Sequence, residues 1–209
     1  METLAPFRMP PLRMTVCGIE ELAGFCDARP SHVLSILDPE WPVPEAFGAF
    51  GEHEKLELRF HDVIEETPGY VMPREEHVSA LLAFGRDLMA EPAEDAHLLV
   101  HCHAGISRSS ASMALILAQH LPQVPAPSIL EEVLRIREKA WPNLRMIEIG
   151  DAMLGRGGTL VAAAHDVYRR QVERRPFLWD FMTDARRERE LGTATKPQEA
   201  ATDQSGGTG

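Results

Sequence analysis

The chain is short of positive charge, cysteine and aromatic residues, and it has no long apolar run. Lys and Arg number 21 against 32 Asp and Glu, a formal net charge of −11. That balance argues against nucleic acid as a partner, because such binding neutralises phosphates with clustered Lys and Arg. It does not exclude a phosphorylated ligand: exposed charges are largely screened beyond about 8 Å at physiological salt, so a local set of donors outweighs a distant acidic surface. The three cysteines, Cys17, Cys26 and Cys102, have no paired spacing, so no disulfide framework is expected. No segment is apolar enough to cross a bilayer, and residues 1–7 lack a basic region followed by an apolar stretch. The expectation is therefore a reducing, cytoplasmic setting with no membrane partner. Aromatic residues make up only 6%, yet a 44% apolar fraction still supplies a normal globular core.

What is present is an alternation of strand and helix patterns. Segments 12–17, 31–37 and 55–60 read as strands, and the apolar run 96–100 as a buried fourth behind the acidic stretch 91–95. A short helix is expected at 19–27. Residues 73–90 fit a longer one, with Pro73 at a plausible first position and Val78, Leu81, Leu82 and Leu88 on one face. Residues 109–120 fit another, with Met113, Leu115, Ile116 and Leu117. This pattern implies an α/β fold, a mostly parallel central sheet of four to five strands with helices on both faces. Beyond His120 the signal becomes helical, at 128–140, 143–154 and 159–174, which makes a helical C-terminal part. Residues 1–180 are read as a single domain. Residues 181–209, charged at 185–190 and then rich in Thr, Gly, Ala and Gln, are read as a partly disordered tail.

The stretch with chemistry in it is His101-Cys102-His103-Ala104-Gly105-Ile106-Ser107-Arg108-Ser109, which joins the end of the buried strand to a helix N-terminus. Such a junction points unpaired backbone N–H groups and the positive end of the helix dipole at one spot, a ready anion site. The same field favours thiolate over thiol in a cysteine placed there, making it a nucleophile. Gly105 permits a tight loop, and Arg108 offers a planar fork of donors for two phosphate oxygens. In open α/β sheets ligands sit beyond the carboxyl ends of strands, where this loop falls.

Those residues make the chain resemble the cysteine-dependent protein tyrosine phosphatases. The family signature is His-Cys, two residues, Gly, two residues, Arg, then Ser or Thr, and His101, Cys102, Gly105, Arg108 and Ser109 fill each fixed position. Ser107 before the arginine is more like the dual-specificity branch than the tyrosine-specific branch, which usually has glycine there. The resemblance implies that Cys102 attacks phosphorus, Arg108 grips the phosphate, Ser109 helps the thiolate leave and His101 orients the loop. It implies further that His103, Ala104, Gly105, Ile106, Ser107 and Arg108 bind the phosphate of a phosphorylated protein or small phosphomonoester, with no metal and no cofactor. Pro142-Asn143 after Trp141 resembles a downstream step of the same family. Two features depart from it. Trp41-Pro42-Val43 has valine where the tyrosine-specific branch carries its acid, and Ile147-Glu148-Ile149 offers no equivalent of that branch's water-positioning glutamine.

The departing oxygen needs a proton, and one carboxyl group can donate it and later activate water. Asp62, on a polar loop after the third strand, is the favoured donor; Glu65, Glu66 and Asp38 are its rivals. Two other readings stand beside this one. In the first, the loop binds phosphorylated ligand without turnover because Asp62 lies too far away. In the second, His101, His103, His61 and Asp62 hold a metal, although two of these histidines flank the cysteine and no helical His pair adds ligands.

Overall fold

The computed structural model describes residues 12–90, 95–192 and 196; most of the acidic stretch 91–95 and of the low-complexity end lies outside them. Four strands, Arg13–Gly18 (β1), His32–Leu37 (β2), Glu54–Arg59 (β3) and His97–Cys102 (β4), form one sheet of order β1-β4-β2-β3 in which every pairing is parallel. All six residues of β4 are buried, as a central strand covered on both faces requires. On the edge strand β3, Leu56 and Leu58 face inward between Lys55, Glu57 and Arg59, whose charges pair along the strand.

The two faces of the sheet are covered unequally. Leu34, Ile36, Leu98, Val100 and Cys102 join one large core with the α-helices. Cys17, Val33 and Leu99 join a smaller core with Leu22, Phe47 and Phe50. That second face is closed by two 3-10 helices, Ile19–Ala28, where a short helix is expected, and Glu45–Ala49. On the large-core side are Glu75–Ala90 (α1), Arg108–His120 (α2), Ala126–Ile136 (α3), Leu144–Met153 (α4) and Thr159–Arg174 (α5). Helix α2 is buried from Arg108 to Ala118 because it lies between the sheet and its neighbours α1, α3 and α4. Gly150 lets α4 come close, since a Cβ there would lie 2.2 Å from Leu115 Cδ2.

Two boundaries differ from the sequence reading, each for a physical reason. The helix expected at 128–140 ends at Ile136, because Arg137 turns to extended backbone and its side chain serves the 101–109 loop. The stretch assigned to a tail from residue 181 is folded as far as Gly192: Leu178–Asp184 (α6) and Glu188–Leu191 (α7) pack on α5, with Met182, Arg187, Glu190 and Leu191 buried. A run of charge looks solvated in sequence, but Arg187 and Glu190 satisfy one another three residues apart at 2.7 Å. None of the described helices is long and apolar enough to cross a membrane.

The loop after β4 is wedged against the end of β1. Gly105 has φ +66°, and a Cβ on it would lie 2.2 Å from the carbonyl carbon of Cys17 and 2.4 Å from the amide nitrogen of Gly18. Both neighbours are backbone and cannot swing aside. Gly105→Ala is therefore expected to cost about 2 kcal/mol or more by overpacking and positive-φ strain, read as a lower urea midpoint.

Candidate active site

The loop's carbonyl oxygens all find partners outside it. The amide of Ile19 donates to His103 O at 2.9 Å, Arg137 Nη2 to Ala104 O at 3.2 Å and Arg137 Nε to Gly105 O at 2.9 Å. The amide of Trp141 donates to Ile106 O at 2.9 Å and that of Asn143 to Ser107 O at 3.2 Å. A peptide N–H points opposite to the preceding C=O in a planar trans unit. Five carbonyls held outward thus turn the N–H groups of residues 104–108 inward, toward the cavity lined by Cys102 and Arg108. Arg137 is itself held by Glu21, whose two oxygens accept from it at 2.9 and 2.7 Å while Oε2 also accepts from the amide of Gly18.

Cys102 is buried, and its Sγ lies 3.2 Å from Ser109 Oγ. Arg108 is buried as well. Its Nη1 donates to Asp38 Oδ1 at 2.6 Å and to Phe60 O at 2.5 Å, which fixes the guanidinium plane, while its buried Nε has no partner among the described residues. The cavity, about 330 Å³, is lined by Cys102, His103, Arg108 and Asp62, with Phe181, Met182 and Arg187 from the C-terminal helices.

Asp62 shares this cavity with Cys102. Its Oδ1 accepts from Ser107 Oγ at 2.7 Å and Asn143 Nδ2 at 2.8 Å, and Arg187 Nη1 lies 3.2 Å away. Burial alone would raise its pKa, but the guanidinium groups of Arg187 and Arg108 and the two hydrogen bonds hold it below the usual value. Asn143 also accepts from the amide of Met146, capping α4. The rivals do not line this cavity. Asp38 is spent on Arg108, Glu65 pairs with Arg189 at 2.7 Å, and Glu66 is exposed.

The histidines do not converge. His101 points to the smaller core, where Nε2 meets Ser35 Oγ at 2.9 Å and the ring stands edge-on to Phe47. His103 Nε2 accepts from the amide of Asp38 at 3.2 Å, and its ring packs under Trp41, 4.4 Å away. His61 Nδ1 accepts from the amide of Val71, and its ring packs on Tyr70. Among the described residues no group of three or more His, Cys, Asp or Glu is placed to hold a metal ion. Cys17 and Cys102 fall in different cores on opposite faces of the sheet. Burial pushes the Cys17 thiol up to about 12, so it stays protonated and inert.

Sequence reasoning missed Arg137, Arg187 and Glu190. Each lies in a charged stretch whose pattern is that of a solvated surface, so no local signal marked them. In sequence Asn143 is read only as part of the Pro142-Asn143 step, although an Asn before an apolar helix is a signal for the N-cap that it forms.

No protein-family model matches the chain, and no curated protein matches it. Solved structures do. The phosphatase domain of Yvh1 from Chaetomium thermophilum is 20% identical, with 73% of this chain and 95% of that one covered at a TM-score of 0.50. A mouse dual-specificity phosphatase is 17% identical, with 78% and 96% covered at 0.51. Human DUSP28 is 17% identical, with 71% and 96% covered at 0.50.

Burial holds the pKa of His101 down to about 4 against 6.5 for the free side chain, so its ring is neutral at pH 7. Below pH 6.5 the unfolded chain binds a proton at this residue that the folded chain refuses until about pH 4, and stability is lost across that window. The loss from His101 is expected to reach about 3 kcal/mol. His32, His77, His97 and His103 are also lowered by burial and add to the slope. The diagnostic is therefore a comparison: urea unfolding at pH 7.5 and 4.5 should show a shallower fall in His101→Asn than in the parent.

The four-stranded parallel sheet, its flanking helices and the strand-loop-helix at Cys102 give this chain the fold of the cysteine-dependent tyrosine and dual-specificity phosphatases.

Proposed function

We propose that the protein is a phosphomonoester hydrolase of the dual-specificity type that works through a cysteinyl-phosphate. The observation that carries this reading is that Cys102, Arg108 and Asp62 line one cavity together with loop residues 103, 104, 106 and 107, whose carbonyls are taken up by partners outside the loop. A phosphate dianion seated there accepts hydrogen bonds from the amides and from the free edge of Arg108. The Cys102 thiolate attacks phosphorus in line, forming S–P as the ester P–O bond breaks. The leaving oxygen takes a proton from the Asp62 carboxyl in the protonated fraction of the enzyme, a fraction that falls with rising pH because Arg187 and Arg108 favour the carboxylate. Water then attacks phosphorus and returns a proton to Asp62, the S–P bond breaks, and inorganic phosphate leaves. The Ser109 hydroxyl, 3.2 Å from the sulfur, stabilises the departing thiolate.

His101, buried and neutral, anchors the strand end by its bond to Ser35 rather than touching substrate. His103 lines the cavity, and Trp41, packed on it, lines the neighbouring cleft with Gly18 and Ile19. That Asp62 and Cys102 line the same cavity favours turnover over a phosphate-reading role without chemistry. The substrate is a phosphorylated protein or a small phosphomonoester. The net charge of −11 speaks against nucleic acid, and three free cysteines suit a reducing compartment such as the cytoplasm.

Hydrolysis of an aryl phosphate with and without chelator tests the scheme. Activity should be indifferent to chelator and abolished in Cys102→Ser. Arg108→Lys, which keeps the charge but loses the fork, should lower kcat by about 10² to 10³. Chelator-sensitive hydrolysis that survives Cys102→Ser would refute it.

Asp62→Asn should slow hydrolysis of an alkyl phosphate by about 10² to 10⁴ in kcat, the usual contribution of a positioned acid, and that of an activated aryl ester much less. Steady-state kinetics on the two esters read the difference directly.

A further inference from the structure

We propose that Arg187 is the positioning residue of the proton donor: its guanidinium, fixed from behind by Glu190, holds the Oδ1 edge of Asp62 so that Oδ2 is turned to the cavity. The inference rests on the phosphatase reading above and assigns a role in it to the C-terminal helices.

Glu190 is wholly buried and fully occupied. It accepts from Trp141 Nε1 at 2.6 Å, from the amide of Leu144 at 3.0 Å, and from Arg187 Nε and Nη2 at 2.7 Å each. A planar guanidinium bound along one edge by a carboxylate that cannot move has its remaining atoms aimed. In Arg187 the second hydrogen of Nη2 reaches Ser107 Oγ at 2.9 Å, and the remaining nitrogen, Nη1, lies 3.2 Å from Asp62 Oδ1. Ser107 Oγ in turn donates to Asp62 Oδ1, so arginine, serine and aspartate close a triangle at the base of the loop. Asn143 Nδ2 is the third donor on Oδ1. Every one of these contacts falls on Oδ1, which leaves Oδ2 as the oxygen able to carry a proton and give it up.

The backbone is shaped to deliver this side chain. Between α6 and α7, Arg186 sits at φ +56°, a left-handed conformation that a non-glycine residue adopts at a cost. That turn directs Arg187 inward, where it lines the same cavity as Cys102 and Asp62, beside Phe181 and Met182. Glu190 faces Arg187 as a buried partner, so the pair adds little net charge of its own to the cavity.

The charged and titratable groups facing Asp62 are Arg187 from the turn, Arg108 and His103 from the loop, and Tyr168 from α5, with Glu190 behind Arg187. His61, its chain neighbour, turns away to Glu40 and Tyr70. Of these, Arg187 and Arg108 favour the carboxylate. Removing Arg187 therefore lets Asp62 keep its proton to higher pH while freeing the carboxyl to rotate.

The test uses the full chain and two phosphomonoesters, one with an activated aryl leaving group and one with an alkyl leaving group, which alone depends on the acid. In Arg187→Met the ratio of kcat/KM for the alkyl ester to that for the aryl ester should fall at least about tenfold, approaching the ratio of Asp62→Asn. The alkaline limb of the alkyl-ester pH profile, which reports the loss of the Asp62 proton, should move to higher pH. Combining Arg187→Met with Asp62→Asn should lower the ratio no further than Asp62→Asn alone. Arg187→Lys, which keeps the charge, should leave the limb near its parent position while lowering the ratio. If Arg187→Met does not fold, Arg187→Lys carries the test through the ratio alone. Equal loss on both esters with an unmoved limb would reduce Arg187 to a structural residue and overturn the proposal. A wild-type chain inactive on both esters would instead strike the parent reading. The contact would then be decided by the carboxyl-carbon titration of Asp62 in labelled protein: a midpoint higher in Arg187→Met supports it, and an unchanged midpoint overturns it.

Discussion

The rest of the site depends on the outward direction of the carbonyl groups of residues 103–107. A loop at the end of a strand is free to satisfy its amides and carbonyls in many ways, and most of them leave nothing to bind an anion. Here Ile19, Arg137, Trp141 and Asn143 take the carbonyls one after another. The amides have only the inner side left. A site made of backbone dipoles held by their own partners needs no reorganisation when charge arrives, which is the condition for strong electrostatic stabilisation.

That constraint explains much of the architecture around it. The chain leaves α3 at Ile136 because Arg137 must reach the loop from outside, and Glu21 accepts both of its terminal nitrogens. The segment 141–143 runs alongside the loop rather than continuing a helix, and Trp141 and Asn143 contribute backbone and side chain alike. Trp141 stacks on Tyr168 at 4.7 Å and donates to Glu190, so the strap is pinned to α5 and α7. The C-terminal helices are thus part of the support of the loop, and Glu190 links that support to Arg187 and Asp62.

Much of this was readable from residue pattern. The four strands and the helices α1, α2, α4 and α5 appear in the sequence within a few residues of where they stand, because apolar spacing reports directly on burial. The strand-to-helix placement of Cys102 and Arg108 follows from the same spacing. The unequal cover of the sheet was not readable: residues 19–28 and 45–49 have short apolar patterns that do not distinguish a tight 3-10 turn from an α-helix. Charged stretches misled most, since Arg187 and Glu190 read as solvent-facing until each is seen to bury the other.

The sequence by itself determined the strand-loop-helix around Cys102, since a strand's period, a glycine and a helix's period are local properties of consecutive residues. Only the tertiary structure decided which carboxyl group meets that cysteine's cavity and what holds it there. Asp62, Asn143 and Arg187 are far apart along the chain, and their meeting follows from how the strands and helices pack, with no periodicity in any one segment to announce it.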